Sequence, residues 1–541
     1  MPNQNKNWQA NGTHTNNNAE IDDHHMNLNM KNGTDQVQVN FKSLPPPPPY
    51  TNGSAVTGNG VTSPKKVTTI KLSTNDVEKN GFELSRKDKK GFTTDAGGGK
   101  TKGNTESALG MGGSAHGIQL NHRTSYFETL THLFKGNVGT GIFAMGKFCD
   151  AFKNGGILVA SFLTVFLGAI CTYNMHILVN CSRHIQEKYK LKESPDYAET
   201  VEACFENGPP QLQKYSKFMK RLVNLFLCVT QLGFCCVYFV FVGSNVQQIF
   251  DYFGIHLSVR LHMLIFFVPI WLPCLVTNLK YLVPFSTVAN ACMIGGIGFI
   301  VYYSTQDLPS IQERQYFANF ETLPLFFGTA IFAFEGICLV LPLKNSMKKD
   351  KNFDNLWGVL NVGMIITITM YAGVGFLGYL KYGDDTKGSL TLNLPEDEIL
   401  PLFVKAFISI AIMLTYALQF FVAVQIMWPC VVERFNIENN LLFKELAFRT
   451  ALVLMTFCIA EAVPNLGMFI SLIGALSGAA LALIFPPVCE FVIAYSSEQK
   501  GPSWSTLLIN SVILIVGFLG FVTGTYESLN GIIHEFFIKE N

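Results

Sequence analysis

The chain has 541 residues, 48% of them hydrophobic and only 15% charged, with a formal net charge of +1. Those averages exclude a single water-soluble core, because the apolar residues gather into runs of about 20, the length that crosses a bilayer as a helix. The thirteen cysteines fall mostly inside those runs or in inner loops, and no two CxxC sequences stand at zinc spacing. Neither a disulfide framework nor a metal site is expected.

Residues 1–120 have a different composition, rich in Asn, Gly, Thr, Lys and Asp. They cannot bury enough apolar surface to offset chain entropy, which predicts a disordered tail. The start MPNQNKNWQA has no apolar core of a signal peptide, so the first span is expected to act as the insertion signal. Pro47, Pro48, Pro49 and Tyr50 match the PPxY pattern that WW domains bind, since proline pre-sets the extended helix such domains dock; a stiff spacer is the plainer alternative. AGGGKT at 96–101 looks like the end of a phosphate loop, but Thr94 stands where the first glycine is required. No nucleotide is expected there. Glycosylation patterns at Asn11, Asn32 and Asn52 lie in the tail and are expected to go unused.

Residues 121–541 form one membrane domain with eleven predicted spans: roughly 127–148, 155–179, 220–243, 261–277, 284–303, 322–342, 356–380, 398–428, 447–464, 466–494 and 504–525. Loops on one side carry most of the cations, among them Arg183, Lys190, Lys217, Arg221, Lys348, Lys351 and Arg434. Lys and Arg accumulate on the cytoplasmic side, which puts the N-terminus in the cytosol and the C-terminus outside or in a lumen.

The first span opens with THLFKGNVGTGIF (131–143), an expensive sequence for a membrane helix. Close helix packing through small residues would explain Gly136, Gly139 and Gly141. It leaves Asn137, Thr140, Lys135 and His132 unexplained in the same two turns. A discontinuous helix accounts for all of them: unwound backbone is tolerated at membrane depth only where it lines a cavity or is buried in protein. Freed N–H groups then attract a carboxylate. An inverted repeat of five spans requires a second interruption in span 6, and FFGTAIFAFEGI (326–337) supplies a glycine and a carboxylate there. Free carbonyls around Gly336 would receive an ammonium group, with Phe332 and Phe334 shaping or gating the pocket. The prediction is an all-α multi-pass membrane protein, a 5+5 inverted repeat with broken helices 1 and 6, that holds a zwitterion between the two breaks.

Two residues compete for a coupling proton. His132 carries the side chain that titrates nearest neutral pH. Glu335 is an ionisable group at membrane depth, where burial is costly and function is the default expectation. The sequence leaves both open.

THLFKGNVGTGIF, TYNMHILVNCSRH (172–184), FAFEGICLVLPLKNSMK (332–348) and FVTGTYESL (521–529) together resemble the proton-coupled amino-acid transporters, within the amino acid/auxin permease group. The similarity covers about residues 125–535 and points to an insect branch. It implies an eleven-span fold, small neutral amino acids such as alanine, glycine and proline as substrates, no cofactor, and a proton as driving ion. It also implies a coupling role for His132, a carboxylate site along Gly136 to Gly141, and a second half-site at Phe334, Glu335 and Gly336. Lys344 departs from the pattern, since many relatives carry Glu there. Paired outer cysteines are missing too, which removes one reason to expect plasma-membrane rather than lysosomal or late endosomal residence. Two other functions stay open: an amino-acid sensor signalling through its tail, and a sodium-coupled amino-acid transporter.

Overall fold

The computed structural model describes residues 124–538 apart from 278–282, 386–388, 396–397, 438, 464 and 497–500; at 135, 138–150, 283–287, 290, 385 and 535–538 it describes the backbone alone. The predicted tail, with the motif at Pro47, Pro48 and Tyr50, lies outside these residues.

Among the described residues fifteen α-helices follow one another: α1 (Tyr126–Gly155), α2 (Ile157–Tyr189), α3 (Tyr197–Glu206), α4 (Pro210–Gln213), α5 (Ser216–Tyr252), α6 (Val259–Cys274), α7 (Val283–Ser304), α8 (Leu323–Ala333), α9 (Ile337–Ser346), α10 (Val359–Tyr382), α11 (Ile399–Phe435), α12 (Leu441–Ala462), α13 (Leu466–Ile473), α14 (Phe485–Ala494) and α15 (Trp504–Ile538). Among the described residues no β-strand forms; one isolated parallel bridge joins Thr124 to Met347. Among the described residues seven helical stretches are long and apolar enough to cross a membrane, with α8–α9 and α13–α14 each counting as one.

Local sequence explains where several helices start. Ser125 accepts from Glu128 N while Glu128 Oε2 accepts from Ser125 N, so the first turn of α1 is closed at both ends of a capping box. Asp196 and Glu199 repeat that arrangement at α3. Asn465 Oδ1 accepts from Gly467 N and Met468 N to open α13.

Burial separates the centre from the rim. In the apolar window of α5, and likewise of α13–α14, 78% of residues are buried, against 28% for α15. An apolar surface left uncovered this way is stable facing lipid. α1 packs mainly on α10 and α8, and α11 on α5 and α7. Between α13 and α14 the chain winds as two π-helical turns, Gly474–Gly478 and Ala480–Ile484. A π-turn leaves carbonyls without their usual partners. Two are met from other elements: Asn174 Nδ2 donates to Ala482 O at 2.7 Å, and the Tyr197 hydroxyl to Leu481 O at 2.5 Å. α8 crosses this region in backbone contact, for a Cβ on Gly474 would collide with Gly328 O. Ser528 of α15 donates to Ser471, and Ser471 to Leu325 O, tying α15, α13 and α8 together.

One expectation fails. α1 is a continuous helix from Tyr126 to Gly155, straight through Gly136, Gly139 and Gly141, so helix 1 is not broken. Each helical glycine costs about 1 kcal/mol relative to alanine. Amides exposed to apolar surroundings without a partner cost more, several kcal/mol each. The intrahelical ladder is the cheaper solution.

Candidate transport site

The second expected interruption is present. α8 ends at Ala333 and α9 starts at Ile337, so Phe334, Glu335 and Gly336 lie between two half-helices. Short-range backbone bonds run through this turn: Phe334 N to Ala330 O at 3.1 Å, Glu335 N to Phe332 O at 3.4 Å, and Gly336 N to Phe334 O at 2.8 Å. The C-terminus of one half-helix and the N-terminus of the other meet here, each with unpaired backbone groups and partial charges of opposite sign. Phe332 and Phe334 are fully buried and Glu335 is 2% exposed.

α1 meets this turn through Asn137. A Cβ on Gly336 would collide with the Asn137 side-chain amide, so glycine is what allows the approach. Asn137 is buried and its Nδ2 donates to Leu133 O at 2.9 Å. Its backbone carbonyl accepts from the Tyr371 hydroxyl of α10 at 2.8 Å. The Tyr371 ring in turn lies edge-on to Phe334, with centroids 5.4 Å apart. Asn137, Phe334, Gly336 and Tyr371 thus form one contact set joining α1, the break and α10. Phe332 points elsewhere, edge-on to Phe234 of α5 at 4.8 Å. Phe332, the other phenylalanine expected to shape or gate the pocket, thus makes its ring contact on the α5 side.

Glu335 is held from α5. The Thr230 hydroxyl donates to Glu335 Oε1 at 3.0 Å. Oε2 has no hydrogen-bond partner among the described residues. It faces Gly478 of the first π-turn, where a Cβ would stand 2.6 Å from it. A carboxyl with one satisfied and one open oxygen, sealed from water, is a costly arrangement that function commonly explains.

The other predicted residues are placed as follows. Gly136 is buried on α1 beside Asn137, and His132 is half-buried one turn earlier. Gly139, Thr140 and Gly141 lie within the helical backbone of α1, and their surroundings fall outside the description. Lys344, the departure noted above, is 1% exposed and donates to Ser194 Oγ at 2.7 Å. Asn345 beside it donates to Ser194 O at 2.7 Å. Among the described residues no cluster of His, Cys, Asp and Glu could hold a metal ion.

Three residues of the site escaped the sequence reading: Thr230, Tyr371 and Gly478. A signal existed for two of them. Thr230-Gln231 is a polar pair in an otherwise apolar stretch of α5, and Gly474 and Gly478 stand at the GxxxG spacing of close helix crossings. Tyr371 gave none.

A bundle of apolar helices around a broken span, with a buried carboxyl at the break, defines a multi-pass integral membrane transport protein. The chain belongs to the family described as Transmembrane amino acid transporter protein, which matches residues 122–530. It is 38% identical over 421 residues to the Drosophila melanogaster "Proton-coupled amino acid transporter-like protein pathetic", covering 78% of this chain and 88% of that one. It is 27% identical over 398 residues to the Caenorhabditis elegans "Probable amino acid transporter skat-1", covering 71% and 86%. Among solved structures, the inward-facing conformation of Mhp1 is similar with a TM-score of 0.48 and 14% identity, over 76% of this chain and 90% of that one. MhsT in complex with L-phenylalanine gives 0.43 and 13%, over 74% and 100%.

Proposed function

We propose that this protein is a secondary active transporter that moves small neutral amino acids, such as alanine, glycine and proline, together with a proton by alternating access. The observation that carries the proposal is Glu335: buried at the interrupted span, bonded through Oε1 to Thr230, and open at Oε2. It is placed to take up a proton beside the Asn137–Gly336 contact. Substrate binds there with its ammonium group toward the carbonyl end of α8 and its carboxylate toward the N–H groups of α9. Phe334 and Tyr371 limit the side chain to a small one. The name of the fly relative, which includes proton coupling, agrees with this reading.

In the same proposal the chain crosses the bilayer eleven times, as a 5+5 inverted repeat. The cation-rich loops and the N-terminus lie in the cytosol, and the C-terminus lies in a lysosomal or late endosomal lumen or outside the cell. The tail remains a candidate WW-domain ligand. Reconstituted protein tests the coupling. Uptake of alanine, glycine and proline into proteoliposomes is measured with and without an inward proton gradient, in sodium and in its absence. Accumulation should follow the proton gradient, persist without sodium and disappear in Glu335→Gln. His132→Ala distinguishes the rivals: if it removes accumulation and Glu335→Gln does not, the proton belongs to His132. Uptake that ignores pH and collapses without sodium sinks proton coupling altogether.

A further inference from the structure

We infer that Thr230 is a positioning residue that fixes where the coupling proton lands on Glu335 and at what pH it does so. The inference rests on the reading of Glu335 as the proton carrier and goes beyond it to a residue on another helix. In helices, threonine hydroxyls ordinarily donate to the carbonyl one turn back. Thr164, Thr172, Thr329, Thr367 and Thr415 all do so here, to Ala160, Gly168, Leu325, Gly363 and Ala411. Thr230 instead turns its hydroxyl across to Glu335 Oε1, 105 residues away in sequence. Thr230 is fully buried, so no water competes for that proton.

This bond makes the two carboxyl oxygens unequal. Oε1 is occupied by a donor, whereas Oε2 faces the first π-turn beside Gly478. A proton added to the carboxylate therefore attaches to Oε2, the Thr230 bond stays in place, and no other bond breaks. Cys171 of α2, Tyr197 of α3 and Cys338 of α9 are titratable groups close enough to feel the charge of this carboxyl. α1, packed against α8, carries His132; α13 (LGMFISLI) and the two π-turns (GALSG and ALALI) contribute no titratable side chain. Thiols and phenols are ordinarily neutral near pH 7. The Thr230 hydroxyl is the group of α5 that donates to the carboxylate, and a donor favours the ionised form over the acid.

The sign of the effect follows. Without the hydroxyl the carboxylate is less favoured, so it takes up its proton at a lower proton concentration. The experiment measures alanine uptake into proteoliposomes against external pH for wild type, Thr230→Val, Thr230→Ser and Glu335→Gln. Thr230→Val should move the half-maximum to higher pH by about one unit, the size expected from one donor to a charged group. Thr230→Ser keeps the hydroxyl and should restore the wild-type curve. A merely structural role for Thr230 would lower the rate and leave the half-maximum in place. If Thr230→Val does not fold, Thr230→Ala carries the same expected shift. An unmoved half-maximum, with pH dependence lost in Glu335→Gln, overturns the role of Thr230 and leaves that of Glu335. Retained pH dependence in Glu335→Gln overturns the Glu335 reading itself.

Discussion

Replacing Gly478 by alanine adds one methyl group where the structure has least room beside the carboxyl. The new Cβ would stand 2.6 Å from Glu335 Oε2 and 2.9 Å from Ile331 Cγ2, whereas ordinary contacts begin at 3.4 Å. One of the neighbours must retreat by about 0.8 Å on the Glu335 side. The isoleucine methyl is fixed by a branched side chain in a buried helix; the carboxyl sits at the end of a flexible one. Glu335 gives way, at the expense of its 3.0 Å bond to Thr230. A hydrogen bond to a charged group contributes about 1.5–3 kcal/mol. Since 1.36 kcal/mol is one decade, proton-driven accumulation should fall by about ten- to a hundredfold in Gly478→Ala, while the protein still folds. The assay is alanine accumulation in proteoliposomes, normalised to reconstituted monodisperse protein. Gly474→Ala serves as the contrast: its Cβ would strike the backbone oxygen of Gly328, which cannot swing aside, so yield and monodispersity should collapse instead. Wild-type accumulation in Gly478→Ala would refute the claim that the carboxyl needs this space.

Tyr371→Phe keeps the ring against Phe334 and removes the donor to the Asn137 carbonyl. That bond contributes about 1 kcal/mol, so uptake should fall by less than about tenfold; a larger loss would mean that the hydroxyl also touches substrate. Arg449 of α12, 2% exposed, bonds Glu445 and the carbonyls of Cys274 and Val276 at the end of α6. Arg449→Met leaves a carboxylate and two carbonyls without their partner and should cost about 3–5 kcal/mol, read as a lower melting temperature of the purified protein; Arg449→Lys should not rescue it, because an ammonium lacks the planar fork.

Much of the membrane domain was legible because bilayer thickness imposes its length on the sequence: most apolar runs mark a helix start to within about four residues, but several helices outrun the apolar stretch, α2 to Tyr189 rather than 179 and α15 to Ile538 rather than 525, because a helix continues past the bilayer without apolar residues. The break in span 6 was legible too, since Glu335 beside Gly336 in the middle of an apolar run is hard to reconcile with an uninterrupted helix. Span 1 shows the limit of that reasoning. Glycines state that a helix is weak, not that it is open, and the α1 ladder closes wherever no better partner takes its N–H groups. What the glycine-rich stretch does supply is Asn137, which the structure brings to Gly336. Thr230 stood out as half of a polar pair, but the partner of its hydroxyl was illegible for a different reason. A threonine in an apolar helix looks the same whether it bonds its own backbone or a carboxyl on another helix, and only the packing of α5 against the break separates the two.

The bridge between Thr124 and Met347 has a bearing on rate. It consists of two backbone bonds, Thr124 N to Ser346 O at 2.8 Å and Lys348 N to Thr124 O at 3.0 Å, and it clips the entry of α1 to the exit of α9. If these two helices separate during the proposed cycle, both bonds must release together. At about 0.5–1.5 kcal/mol each, they bias the clipped state by roughly five- to a hundred-and-fifty-fold. In that cycle a fastening of this strength would hold the clipped state at rest, yet stay within reach of the binding energy of a single small ligand.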